Sequence, residues 1–430
     1  MGSIKNIYLP YGNETLHAKV PSNRVLFERN LKYLPGLADF ENTLLERLDN
    51  PVAGESLKDI VSGRGGILIL IEDNTRNTPV KRILPILIDY LEGCGVSLSD
   101  IEILTAPGTH RKMSEMEIVE KVGPEIVKRV NIFQHDVTEK ESIVELDPIY
   151  IGESKIPVAI NKRALDADVI IGIGSIVPHD QAGYTGGGKI VQPGICGYST
   201  TAATHIAAAL LKEIPLGVVE NPCRLGIEAV AKRVGLNFII NIVKNSKGEI
   251  KEIVTGDFVI AHRRGALVAK EMYSLAIPEA ADIIITSSFP YDIDYWQAGK
   301  GLISSSLAVK RGGYLILAAA CPEGLVHNHP KFKDWLKLSY QDLCNSVKNI
   351  SPEDEEADLV AASIAIFNSR IREKADILLI SDGLSEEDIS VLGYTKFDSL
   401  QTAIDFAMEK KPLAKVGIIP RGGDCLPILS

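Results

Sequence analysis

Between Ser175 and Lys189 the chain places Pro178-His179-Asp180 shortly before Gly186-Gly187-Gly188-Lys189. Three successive glycines make poor helix or strand, but they let backbone N–H groups approach a phosphate or carboxylate while Lys189 supplies an amine. Gly183 to Lys189 also fits the spacing G-x-x-x-x-G-K. The next residue, Ile190, offers no hydroxyl for magnesium, and Val191-Gln192-Pro193-Gly194 cannot open a good helix, so a phosphoryl-transfer loop is disfavoured. A glycine-rich turn with a solvated lysine is the plain structural alternative. Among eight histidines, His110, His179 and His205 stand apart. Two of them close strand-like runs, and the third follows the glycine loop. If they converge, they supply two acid/base imidazoles and one metal ligand. His327 and His329 flank Asn328 without a zinc spacing and read as surface residues.

The elements that must position these groups follow from the apolar pattern. Short Ile, Val and Leu runs alternate with amphipathic stretches, which predicts an α/β fold with strands buried on both faces of largely parallel sheets. Ala-Asp leads into such a run three times, at Ala167-Asp168, Ala281-Asp282 and Ala375-Asp376, marking related βα units. Strands read over 65–72, 101–105 and 169–173 end at Asp73 with Arg76, at His110 and at His179. Carboxyl ends of strands are where such folds place functional groups. Ser199 to Thr201 is expected to cap a helix reaching about Leu211, with Ala202, Ile206, Ala209 and Leu210 on its apolar face and His205 beside it.

Two α/β domains are expected, with the active-site cleft between them. The first, 1–272, carries the glycine-rich loop, and the second spans 278–410. The tail 411–430 is read as returning to the first domain. Lys244 to Lys251 reads as a hairpin or surface loop. Phe289 to Gly301 follows a strand and holds Trp296, Gln297 and Lys300. The last two are three apart and share a face if a helix starts there. This stretch is read either as a cleft wall or as a helix cap with an aromatic on the core. The acidic run Glu353 to Glu356 reads as a capped helix start.

Composition narrows the function classes. With 46 Lys plus Arg against 56 Asp plus Glu, the 430-residue chain carries a net charge of −10, which disfavours broad nucleic-acid or membrane-surface binding. The longest apolar runs have strand length rather than spanning length. Met1 to Gly12 lacks a signal-peptide core. Six scattered cysteines contain no C-x-x-C pair, so a reducing cytoplasm is expected.

The set Asp73-x-x-Arg76, Pro107-Gly108-Thr109-His110, Pro178-His179, Gly186-Gly187-Gly188-Lys189, His205 and Gln297-x-x-Lys300 resembles the nickel-dependent lactate racemase family. The resemblance spans about 70 to 325. It implies a nickel-pincer nucleotide in the cleft, a pyridinium-3-thioamide-5-thiocarboxylic acid mononucleotide tethered to a lysine and supplied by separate cofactor-synthesis proteins. Carried over residue by residue, Lys189 is the tether, His205 the protein ligand to nickel, and His110 and His179 the acid/base pair. Asp73 and Arg76 organise the substrate and a histidine. Gln297 and Lys300 close the site, and Gly186, Gly187, Gly188 and Trp296 contact the cofactor. Gly188 stands where the family phrase usually has alanine.

The implied reaction is racemisation or epimerisation of a small-molecule 2-hydroxy acid through a 2-keto acid, with hydride passing to and from the cofactor. The alternatives are a P-loop-like nucleotide-dependent enzyme and a catalytically silent small-molecule binding protein.

Overall fold

The computed structural model describes residues 3–151 and 154–430; Met1 and Gly2, at the head of the Met1 to Gly12 stretch, lie outside them. Ile67–Ile71 is buried along its whole length. Because strand side chains alternate between faces, Ile67, Ile69 and Ile71 enter one core while Leu68 and Leu70 enter another. The helix Val80–Gly93 seals the first of these cores with Val80, Ile83, Leu84, Leu87, Ile88 and Leu91, a helical spacing of apolar positions. Both faces of the sheet are therefore covered, as parallel sheets require.

The first sheet has the order Ile250–Gly256, Leu236–Lys244, Val169–Ser175, Ile67–Ile71, Ile101–Thr105, Asn131–Gln134. It is parallel except at the Ile250–Gly256 edge. The Lys244 to Lys251 segment is the turn that makes this antiparallel edge. The second sheet, parallel throughout, has the order Thr395–Lys396, Ala375–Ile380, Val309–Ala318, Ala281–Ser287, Val416–Ile419, Val25–Glu28. Each of the three Ala-Asp phrases leads into a sheet strand.

The ends of the chain depart from the sequence reading. Val416–Ile419 pairs with Ala281–Ser287 in the second sheet rather than returning to the first. Leu426–Leu429 pairs with Ser274–Ile277. At the other end, Val25–Glu28 forms the edge of the second sheet, and the hairpin Ile4–Tyr11 with Glu14–Pro21 packs on that sheet's face. Apolar alternation marks a strand but does not say which edge it pairs with, so these partners were not readable.

Two helix starts also differ. The helix Tyr198–Ala209 begins at Gly197 without a side-chain cap. The hydroxyls of Thr200 and Thr201 are engaged elsewhere, Thr200 accepting from Ala159 N at 2.8 Å and Thr201 donating to Gly197 O at 3.2 Å. The acidic run gives a single tight turn, Glu355–Ala357, capped by Asp354, and the long helix Leu359–Arg372 starts instead from Asp358. These two helices pack together, with Ala202 and Ala209 entering the core of the second domain. Among the described residues no helix is long and apolar enough to cross a membrane.

Candidate active site

Ile67–Ile71 pairs with Val169–Ser175 on one side and Ile101–Thr105 on the other. The connections leave in opposite directions, which opens a crevice at the carboxyl ends of the strands. Asp73 and Arg76 follow Ile67–Ile71, His110 follows Ile101–Thr105 and His179 follows Val169–Ser175. From the second domain the helix Tyr295–Ser306, capped by Asp294, brings Trp296, Gln297 and Lys300 to the same cleft. Lys189, Gly186 and His205 complete the lining drawn from the sequence-predicted residues.

Gly187 and Gly188 are not in that lining. A Cβ on Gly187 would lie 3.0 Å from the His262 ring and from Phe258 O, and one on Gly188 would lie 2.9 Å from the Ala231 Cβ. These two glycines let the loop pack on the helices behind it. Alanine at position 188 would press on Ala231. Lys189 lies within the short turn Gly187–Ile190 and does not open the long helix of a phosphate-binding P-loop.

Side chains hold His110. Its Nδ1 lies 2.8 Å from Asp73 Oδ2. Thr75 Oγ1 donates to Asp73 Oδ1 at 2.7 Å and accepts from Arg76 Nη1 at 2.7 Å. Gln297 Oε1 accepts from Arg76 Nη1 at 3.3 Å and from Lys300 Nζ, which turns the amide so that Nε2 faces His110 Nε2 at 3.2 Å. One proton arrangement satisfies all of these contacts, with Nδ1–H directed at the carboxylate and a lone pair on Nε2. Burial raises the Asp73 pKa, but His110 and Arg76 outweigh it and hold the carboxyl below its ordinary range. Burial lowers the His110 pKa, against the pull of Asp73.

The main chain holds His179. It sits in the short pair Pro178–His179 with Gly183–Tyr184. Its Nδ1 accepts from Gln181 N at 3.1 Å and Ala182 N at 3.3 Å, so in this arrangement the proton is on Nε2. Asp180 Oδ1 lies 2.9 Å from the same Nδ1 and shares the Gln181 N–H. Burial, followed by the Lys189 ammonium, pushes His179 down to about 3, against Asp180. Asp180 itself is held low: burial raises it, and His179, Lys300 and Lys189 overcome that.

His205 is half-buried, and its buried Nδ1 has no hydrogen-bond partner among the described residues. Burial and then Lys189 push it down to about 3, leaving the neutral imidazole that binds metals. Among the described residues no group of three or more His, Cys, Asp and Glu is arranged to hold a metal ion. A metal here would take one protein ligand and find its others on a bound organic group, and the orphaned His205 Nδ1 on the cleft that Lys189 also lines fits that arrangement. Burial, then Arg76, lowers Lys189 to about 8. Burial, then Arg76, also puts Lys300 well below the ordinary lysine value.

Several residues of the site escaped the sequence reading. Asp180 was signalled only by its place next to His179. Glu72 ends an apolar strand with a charge, lines the cleft and accepts from Ser175 N at 3.2 Å. Asn241, a buried polar residue flanked by isoleucines in its strand, accepts from Gly187 N at 2.7 Å. His329 is a correction, because it is buried. Its ring stacks on Trp296 with centroids 4.1 Å apart, and its nitrogens meet Asp358 Oδ1 at 2.8 Å and Thr109 Oγ1 at 3.3 Å. Its three partners come from three distant segments, which no local pattern joins. His327 is exposed and pairs with Glu323 at 2.9 Å.

The family model of the lactate racemase N-terminal domain matches residues 11–214, and that of the C-terminal domain matches 277–426. Two curated relatives called lactate racemase, from Thermoanaerobacterium thermosaccharolyticum and Lactiplantibacillus plantarum, are each 29% identical over 97% of this chain and 98% of the relative. The solved apoprotein of the Thermoanaerobacterium lactate racemase is similar with a TM-score of 0.87 at 28% identity, covering 99% of this chain and 100% of that one. A solved Thermotoga maritima protein shares the fold, with a TM-score of 0.71 at 21% identity, covering 93% of this chain and all of that one.

Proposed function

The chain belongs to the lactate racemase family and is an isomerase of the racemase class, and from that premise we propose that it inverts the C2 carbinol of lactate or a larger 2-hydroxy acid. The observation that carries this reading is that two histidines with different partners, His110 and His179, line one cleft that also holds the cationic side chains of Arg76, Lys189 and Lys300. Enantiomers present their hydroxyls on different sides of the carbon, so each needs its own proton acceptor. Arg76 holds the substrate carboxylate as a fork and Lys300 as a point charge.

His110 is ready as a base: its Nε2 lone pair takes the hydroxyl proton once the substrate displaces the Gln297 amide, and Asp73 stabilises the imidazolium that forms. His179 works in a different form from the one it rests in. When the ring gains a second proton from solvent, at Nδ1, that nitrogen ceases to accept from the Gln181 and Ala182 amides and donates to Asp180 Oδ1 instead, and Nε2–H becomes the acid that protonates the 2-keto oxygen from the other side. Having given that proton, His179 keeps Nδ1–H on Asp180 and bears a lone pair on Nε2, ready as the base for the opposite enantiomer.

A nickel-pincer nucleotide suits the remaining groups, with Lys189 as its tether, His205 as the protein ligand to nickel, and Gly186 and Trp296 beside it. When bound, that cofactor supplies a reversible acceptor for the C2 hydrogen and its electron pair. The test is production of the chain alongside cofactor-synthesis proteins, followed by intact mass, nickel content, peptide mapping and interconversion of the lactate enantiomers. An adduct on Lys189, about one nickel per chain and racemisation of either enantiomer are expected. Unmodified, inactive protein, when a control racemase is loaded in the same cells, would overturn the proposal.

A further inference from the structure

Arg224 is fully buried, yet no carboxylate lies within ion-pair distance of it among the described residues. It is the third residue of the helix Pro222–Val234, where an arginine ordinarily turns to solvent. The nearby Glu228 is taken by Arg263 at 2.6 Å, as is Glu220. The Arg224 guanidinium spends its donors on loop carbonyls instead. Nε donates to Ala182 O at 3.2 Å, Nη1 to Gly186 O at 3.0 Å and Nη2 to Tyr184 O. A charge buried without a counter-ion is costly, and a planar fork with three well-placed acceptors is the arrangement that tolerates it.

The intervening carbonyls are also taken. Gly183 O accepts from Gly217 N at 3.0 Å, and Thr185 O lies 2.9 Å from His262 Nε2. Five successive carbonyls, 182 to 186, are therefore bonded, three of them by one side chain. This segment starts at the residue whose N–H reaches His179 and ends three residues before Lys189.

We propose that Arg224 is the positioning residue of the site: by gathering the carbonyls of Ala182, Tyr184 and Gly186 it fixes the loop that sets His179 at one end and Lys189 at the other. A lysine in its place reaches fewer carbonyls, and a methionine reaches none. This inference rests on Lys189 being the tether only where cofactor attachment is concerned; the geometry of the loop stands apart from it.

The experiment uses the full chain made without cofactor. Amide hydrogen exchange is followed over 181–189, and acetylation of Lys189 by acetic anhydride is mapped against pH by peptide mass spectrometry. Compared are wild type, Arg224→Met, Arg224→Lys and Val230→Ala, the last removing core volume from the same helix without touching the loop carbonyls. In Arg224→Met the loop amides should exchange at least about tenfold faster; the Lys189 midpoint should rise from near 8 as well, but loss of the Arg224 charge raises it by itself, so the midpoint reports the loop only in Arg224→Lys, which keeps that charge. Val230→Ala should leave both unchanged. Arg224→Lys should loosen the loop to an intermediate degree, and it carries the test if the methionine variant does not fold.

Wild-type loop exchange in a folded Arg224 variant, or an equal change in Val230→Ala, would overturn the proposal. In cells making the cofactor, Arg224→Met should carry under about a tenth of the wild-type adduct. An absent adduct on wild type as well would count against the tether and leave the loop measurement to decide Arg224.

Discussion

His110 and His179 line the same cleft, but one is oriented by side chains and the other by its own loop. Asp73, Thr75 and Gln297 fix His110 with its proton on Nδ1, so its cleft-side nitrogen is free to accept. Two backbone amides fix His179 with its proton on Nε2, and Asp180 waits 2.9 Å from the other nitrogen. A racemase needs one acid and one base at any moment. The difference teaches that the two rings are not equivalent at rest: under the proposed scheme His110 begins as the base, and His179 joins only after gaining a proton.

The sharpest way to break that comparison is to remove each ring. His110→Ala and His179→Ala should each lower turnover by about 10²- to 10⁴-fold in both directions, read from racemisation of either enantiomer by cofactor-loaded protein. Near-wild-type turnover in either variant would end the two-histidine scheme. Asp73→Asn comes next. An asparagine amide can donate to His110 Nδ1 and force the wrong tautomer, so kcat should drop by about 10³- to 10⁴-fold with little change in KM. Asp180→Asn should cost less, about 10- to 100-fold, because the amides of Gln181 and Ala182 still hold the ring. Equal losses in the two variants would show that both rings depend on their carboxylates alike.

Lys189→Met tests the charge coupling without any turnover. Lys189 lies second only to burial in holding His179 down near 3, so removing its charge should move the His179 titration upward in histidine NMR, while His110 moves less. A downward or absent shift of His179 would contradict the coupling. The smallest effects calibrate the rest. His329→Ala should cost about 1–3 kcal/mol of unfolding stability, since it removes the ring that meets the buried Asp358 at 2.8 Å and leaves that carboxylate only the Ala361 amide and the Tyr198 hydroxyl, whereas the exposed His327→Ala should stay within about 0.5 kcal/mol. Denaturant titration separates the two.

The two histidines also differ in how far they could be read. Asp73, Arg76 and His110 sit at the ends of strands whose apolar runs are unmistakable, so their meeting followed once a parallel sheet was assumed. The His179 loop was equally visible as a glycine-rich phrase, but its organiser Arg224 was not. It lies 35 positions beyond Lys189 in a helix whose pattern gave no reason to bury a charge. Likewise Ala202 and Ala209 were read as an apolar face, yet only packing shows that this face enters the core of the second domain.

The sequence by itself determined which segments would be strands buried on two faces, where those strands end, and which titratable side chains stand at the ends, because apolar periodicity and strand-end chemistry are local. The tertiary structure alone decided that Val25–Glu28 and Val416–Ile419 join the second sheet, that His329 is buried behind Trp296, and which donors and acceptors face the ring nitrogens of His110 and His179. Those outcomes depend on which distant donors and acceptors meet within hydrogen-bond distance, and only the closed packing of the chain sets that.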